Sequence, residues 1–433
     1  MKATANTGDN AGKLDPDFGV GGLVELRPFD EDRGFEIIDS AGLQDGGSVH
    51  VIRTYDEGEN YLVSFDHGGE LIHRKQVILP DKIQPNTHYF FRLKYSQLDR
   101  VACYLPGVRW PSENVEDPII HTSAVGCFLT DLQPQPGFGE NGIATITPAD
   151  LGKNSANRRA TPKREAFAAD HAETPATRAY NVNSGEAQLI NGALWSVSSS
   201  YHEFEDPPFK SWISRFAPDT GELLSIYPLQ PLGGTTWEPV DVHFLKEGGF
   251  IMLAYIEQQA FLTKFTDTGM LDKTFNNSGY VEMPDLAYDN SCMYVHQDRI
   301  LIASVEPAIQ AAPLLTLDAY LLSGQPDSTF QRKSEVVTDS VIITSPHIVV
   351  DATNRILVGF TSSMNFNSSP TPFAVMIYRF NWAGNADLSF GDAGRFVHYN
   401  VVQFKHMFLN GNEIRGAGKD FSTQLPLMFK VLD

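Results

Sequence analysis

Five imperfect copies of one short pattern run from near the beginning of the chain to near its end, and they limit the folds open to it. They are Leu14-Asp15-Pro16-Asp17-Phe18-Gly19-Val20-Gly21-Gly22, Gln135-Pro136-Gly137-Phe138-Gly139-Glu140-Asn141-Gly142, Leu271-Asp272-Lys273-Thr274-Phe275 with Gly279, Gln325-Pro326-Asp327-Ser328-Thr329-Phe330, and Ala386-Asp387-Leu388-Ser389-Phe390-Gly391-Asp392-Ala393-Gly394. Each reads as a tight knot between two strands. Asp or Asn side chains satisfy turn amides, glycine supplies positive φ, and phenylalanine is the group to bury between neighbouring sheets. The physical reading of these residues is therefore structural.

Between the knots a second feature recurs: an alternating apolar run, a short polar turn and another β-rich run, which is the signature of a hairpin. The turns are at Asp45, Asp99, Gly192, Gly248, Asp298, Asn354 and Gly411, spaced by 54, 93, 56, 50, 56 and 57 residues. One interval is long by about 35 to 40, which places an irregular insertion at about 148–183 in the third unit. A further β-like run precedes each knot and another follows it, so each unit holds four strands. Seven such units, with no long helix among them, predict an all-β, seven-bladed β-propeller of four-stranded antiparallel blades. A ring also protects the edges of short strands. The chain stops at Asp433, just after the last strand of the seventh unit, and begins with a knot that lacks a preceding strand. The N-terminal LDxxFG segment is thus expected to close the ring against the last blade, burying Phe18 near Leu427 to Val431. In this reading 1–13 is a flexible N-terminus and 14–433 a single domain.

The LDxxFGxxG knot, clearest at Leu14 to Gly22 and Asp387 to Gly394, follows a strand and turn such as Arg379-Phe380-Asn381-Trp382-Ala383-Gly384. It resembles the bacterial delta-60 repeat. That resemblance spans nearly the whole chain and implies a propeller, with no catalytic residues to carry over. It is degenerate in the second and third units, where His67-Gly68-Gly69-Glu70-Leu71 and Asp219-Thr220-Gly221-Glu222-Leu223 keep a turn and lose the phenylalanine.

A formal charge of −20 opposes a phosphate backbone, so nucleic acid is disfavoured as a partner. Neither a signal-peptide core nor an apolar run of spanning length is present, which predicts no membrane insertion and a protein that is cytoplasmic or exported without a Sec signal. Cys103, Cys127 and Cys292 lack metal-ligand spacing and read as small buried hydrophobes. No nucleophile elbow, phosphate loop, zinc motif or calcium loop occurs, and no cofactor is expected.

The candidate binding residues lie in loops. Arg109 and Trp110 fall in one proline-flanked aromatic stretch, and Tyr201, His202 and Phe204 in another, where rigid rings offer contact area at low entropic cost. Arg158, Arg159, Lys163 and Arg164 make the insertion locally basic. These features point to a non-catalytic scaffold presenting rim loops to a protein or glycan partner. The alternative is a metal-assisted hydrolase or lyase at the propeller axis, using Asp241, His243, His296 and His347 from comparable strands.

Overall fold

A computed structural model describes residues 11–26, 34–43, 46–55, 59–78, 83–85, 92–96, 100–109, 120–146, 185–201, 209–235, 237–257, 259–286, 290–306, 314–336, 340–342, 346–364, 373–399, 401–410, 413–420 and 426–433. All regular structure in them is β. The strands form seven antiparallel sheets with no crossover inside any sheet. Blades 1 to 6 occupy 35–76, 83–146, 185–228, 238–283, 291–336 and 340–399; blade 7 combines 401–431 with Leu23–Glu25. In blades 2 and 6 the first strand is split into two segments, both paired with the second strand.

The first strands lie against one another in an unbroken cycle: Phe35–Gly42, Arg92–Ser96, Gly185–Ile190, Glu238–Phe244, Ser291–His296, His347–Val350, Val401–Asn410 and back to Phe35–Gly42. They are the inner wall of a seven-bladed β-propeller. The apolar core is divided among the gaps between blades, because both faces of each sheet pack on a neighbour. Val242 and Phe244, for instance, face blade 3, while Met293 and Val295 face blade 4. Hydrophobic alternation along a first strand thus selects between two neighbouring blades.

Turn chemistry follows the sequence. Asn191, Gln297 and Asn354 take the left-handed conformation at three hairpin tips. In the knots, Asp15, Asp272, Asp327 and Asp387 each accept the backbone N–H two residues on, at 3.0, 3.0, 2.8 and 3.1 Å. Phe18, Phe138, Phe275, Phe330 and Phe390 are all buried. Each knot or its equivalent also bonds to the turn of the next blade: Gly139 N–H to Thr220 O, Gln230 N–H to Gly269 O, Asn276 N–H to Ser323 O, and Gln331 N–H to Ala383 O. The two degenerate units are blades 1 and 3, the His67 to Leu71 turn belonging to the first blade and not the second as expected; there the knot is replaced by a plain turn, closed by Asp66 N–H to Glu70 O and Ala217 N–H to Glu222 O.

The N-terminal segment lies along the last strand. Leu23, Val24 and Glu25 pair with Phe429, Met428 and Leu427, and Phe18 packs with Ala417 and Met428 of blade 7 and Ile37, Ile52 and Phe65 of blade 1. Ala11 to Lys13 differ from the loose terminus expected for 1–13. Gly12 N–H donates to Leu432 O at 2.8 Å, Leu432 N–H to Lys13 O, and Gly391 N–H to Ala11 O. Gly12 has φ +74°, and an added Cβ would meet Gly391 N at 2.2 Å, so this contact requires glycine. Residues 1–10 and the insertion at 148–183 lie outside the described residues.

Candidate functional site

Strand register, read blade by blade, reveals a layer that crosses the axis. In each blade the third-strand residue that enters the turn (Phe65, Phe128, Phe216, Phe265, Tyr320, Phe380 or Val431) pairs with a second-strand residue. Three residues further along that second strand, the partners on the first strands are Asp39, Arg92, Glu186, Asp241, Cys292, His347 and His406. All seven register-equivalent positions hold an ionisable residue. In blades 1, 4 and 7 the layer follows a register shift on the first strand, between Ile37 and Asp39, Pro239 and Asp241, and Val402 and His406. Such irregularities re-aim a side chain.

Two pairs of neighbours in the layer touch, Asp39 with His406 and His406 with His347. His406 Nδ1 lies 3.2 Å from Asp39 Oδ1, within ion-pair range without the alignment of a hydrogen bond. The His347 and His406 rings meet edge to face at 5.4 Å. Asp241 bridges two blades: its Oδ1 accepts Val242 N–H at 3.0 Å and its Oδ2 accepts Met293 N–H of blade 5 at 3.1 Å. Beside this stretch, burial lowers the pKa of the Lys405 ammonium against the opposing pull of Glu36.

Behind Asp39 lies a fully buried polar network. Ser40 Oγ and His50 Nδ1 are 2.6 Å apart, and Ser48 Oγ and His50 Nε2 are 2.8 Å apart. Because the Ser48 hydroxyl donates to Met428 Sδ at 3.3 Å, its oxygen accepts from His50 Nε2–H, and Ser40 donates to Nδ1. Burial first, and His406 second, lower the His50 pKa to about 3, so it is neutral at physiological pH. With no exposed surface, this serine–histidine pair is structural.

The residues singled out for a metal are placed apart. His296 ends its strand, with Nε2 3.2 Å from Asn354 Oδ1 and its ring against Trp382. His243 pairs with Ile251, two positions beyond the layer. Only Asp241 and His347 belong to the layer, and it brings His347 to His406. Among the described residues no three His, Cys, Asp or Glu side chains are grouped to hold a metal ion. Cys103 and Cys127 are buried as expected, and burial raises both thiols, Cys127 to about 11. Cys292 departs from that reading: it is half-buried, because its strand position belongs to the axial layer. The sequence does not single out Asp39, His50 or His406; the pairing register of the folded blades is what aligns Asp39 and His406 with Asp241 and His347.

Arg109 and Tyr201 end the second strands of blades 2 and 3. Trp110, Arg158, Arg159, Lys163, Arg164, His202 and Phe204 lie outside the described residues.

No family model matches the chain, and no curated protein matches it. Among solved structures it is similar to the polysaccharide lyase Uly1, with 8% identity over 100% of this chain and 94% of that one and a TM-score of 0.45. It is also similar to a protein of unknown function from Dyadobacter fermentans (12% identity, 83% and 99% covered, TM-score 0.43). A third is the α-L-arabinofuranosidase of Fusarium graminearum solved with arabinobiose (10%, 83% and 97%, 0.43). At such distances no activity carries across.

Proposed function

We propose that the chain is a non-catalytic binding scaffold of degenerate delta-60 repeats that engages a protein or glycan partner at one rim. The observation behind this reading is the segregation of connections. In an antiparallel blade, first-to-second and third-to-fourth connections share one end, and all others share the opposite end. The first end is filled by short hairpin turns and knots. From the second leave the connections 110–119, 147–184 and 202–208, all belonging to the neighbouring blades 2 and 3. The three segments that read as recognition elements in the sequence therefore start from one sector of one rim, on rigid strands suited to present them.

Affinity capture from the native host, paired with a glycan array, tests the reading. Deleting 148–183 is expected to abolish or weaken the captured complex. A complex that survives loss of that insertion and of both aromatic loops would sink the proposal.

A further inference from the structure

Blade 3 carries a cation whose counter-charge is missing. On the third strand, Lys264, Arg379, Lys430 and Arg215 are register-equivalent, pairing with Ile251, Leu357, Arg415 and Trp195 of the second strand. The first three each meet the carboxylate of their own knot: Lys264–Asp272 at 3.1 Å, Arg379–Asp387 at 2.9 Å and Lys430–Asp15 at 2.8 Å. In blade 5 an alanine, Ala319, holds the position, and Asp327 is met by Arg299 at 2.5 Å instead. Blade 3 lacks the knot, and the aspartate of its plain turn, Asp219, is taken by Arg100 of blade 2 at 3.0 Å. Arg215 is left stacked on Trp195, its Cζ 4.5 Å from the ring centroid, with no ion pair among the described residues.

The residues beside it share the deficit. Gln188, Trp195, Arg215 and Ser225 form one cross-strand row over blade 3. Each has a buried polar atom with no hydrogen-bond partner: Gln188 Oε1, Trp195 Nε1, Arg215 Nε and Ser225 Oγ. Trp195 is 6% exposed and Gln188, Arg215 and Ser225 are half-buried, while the four unpartnered atoms themselves are covered, so a ligand reaches them only as these side chains shift. Unpaired buried donors and an uncompensated cation are costly. Here they converge on one face.

We propose that this row is a binding site for a small hydroxycarboxylate. The ligand's carboxylate takes the place of the absent knot aspartate, accepting from Arg215 Nε–H and Trp195 Nε1–H. Its hydroxyl donates to Gln188 Oε1, and the Ser225 hydroxyl can serve as donor or acceptor. The row lies two residues from the hairpin tip Asn191-Gly192, at the opposite end from the loops assigned to a macromolecular partner. The site is thus independent of that reading.

The test uses the full chain titrated with sodium glycolate and sodium glucuronate at constant ionic strength, with acetate, phosphate and chloride alongside. Binding is followed by calorimetry and by the Trp195 indole N–H resonance, assigned through Trp195→Phe. The hydroxycarboxylates should bind, move that resonance and outcompete acetate. Trp195→Phe keeps the ring, removes one donor to a charged group, and should weaken binding about tenfold. Arg215→Met should abolish it. If neither glycolate nor glucuronate binds, or if both variants bind like the parent chain, the proposal is wrong; phosphate or chloride binding equally well overturns the carboxylate assignment.

Discussion

Blades 6 and 7 build the same knot from different kinds of chain. In blade 6 it is continuous: Asp387 N–H bonds to Arg379 O at 2.9 Å, Phe390 N–H to Asp387 O at 3.1 Å, and Arg379 N–H to Gly394 O at 3.0 Å. In blade 7 the corresponding bonds are Asp15 to Lys430 at 2.9 Å, Phe18 to Asp15 at 3.1 Å, and Lys430 to Gly22 at 3.2 Å, although the third strand and the knot lie at opposite ends of the sequence. Ion pairing repeats as well, and a guanidinium covers each phenylalanine: Arg379 over Phe390 at 4.5 Å, Arg415 over Phe18 at 5.1 Å. Arg415 also donates to His67 O of blade 1 at 3.0 Å, much as Arg299 donates to Trp382 O between blades 5 and 6. The difference teaches that the knot is a unit of space and hydrogen bonding. Covalent continuity with its strand is dispensable.

From this we infer that the N-terminal segment holds the ring shut, and the largest break in the comparison is to remove it. Deleting 1–25, the knot together with the strand paired to Leu427–Phe429, should leave the edge of blade 7 bare and cause aggregation, read by light scattering, whereas deleting 1–10 should change little. Next come the paired truncations Phe18→Ala and Phe390→Ala. Each empties a buried site and should cost about 3 to 5 kcal/mol in denaturant unfolding. A Phe18 variant as stable as the parent would show that the seam between blades 7 and 1 is held by other contacts.

The knots were legible in sequence because Asp and Gly act through their own backbones. Asp272 caps Thr274 N–H whatever surrounds it, and Gly279 takes φ +94°. Turn spacing likewise carried the blade number, since one hairpin costs one polar turn. The axial layer was not legible. Hairpin connections differ in length, from Asn191-Gly192 alone to 245–249, so counting along the chain loses the alignment. Arg215 was hidden for another reason. Its isolation has meaning only once Lys264, Arg379 and Lys430 are known to occupy the same position.

The seam between blades 7 and 1 has a titratable element that the blade 6 knot lacks. His50, whose network reaches Met428 of blade 7, is neutral when folded, with a pKa of about 3 against an ordinary value of 6.5. Because its folded pKa is depressed, the unfolded chain binds the extra proton between those values. Stability from this group is complete above the ordinary pKa and falls as pH drops through the window, by up to about 1.4 kcal/mol per unit. His50→Leu removes the ring partner of the Ser40 and Ser48 hydroxyls and so should be less stable than the parent at pH 7, and because it cannot titrate it should show a shallower loss toward pH 4 in denaturant melts. Parallel slopes for the two proteins would exclude His50 as the acid-sensitive group.

The smallest expected effect is the sharpest comparison, because it changes one charge in each knot without changing its shape. Burial by itself would raise the Asp15 and Asp387 carboxyls, yet both are held below the ordinary value. For Asp15 the opposing influences are the Lys430 ammonium and the Asp17 amide; for Asp387 they are the Ser389 hydroxyl and amide, and Arg379. A depressed carboxylate contributes stability above its unfolded pKa, near 3.9, and loses it as pH falls through the folded value. Asp15→Asn and Asp387→Asn should therefore each cost about 1 to 3 kcal/mol at pH 7, and the gap from the parent should close in acid. If the discontinuous knot is held as firmly as the continuous one, the two curves of cost against pH will coincide. A cost at pH 7 for Asp387→Asn with none for Asp15→Asn would mean that the N-terminal knot rests against blade 7 without stabilising it, and the inference of closure by that segment would fail.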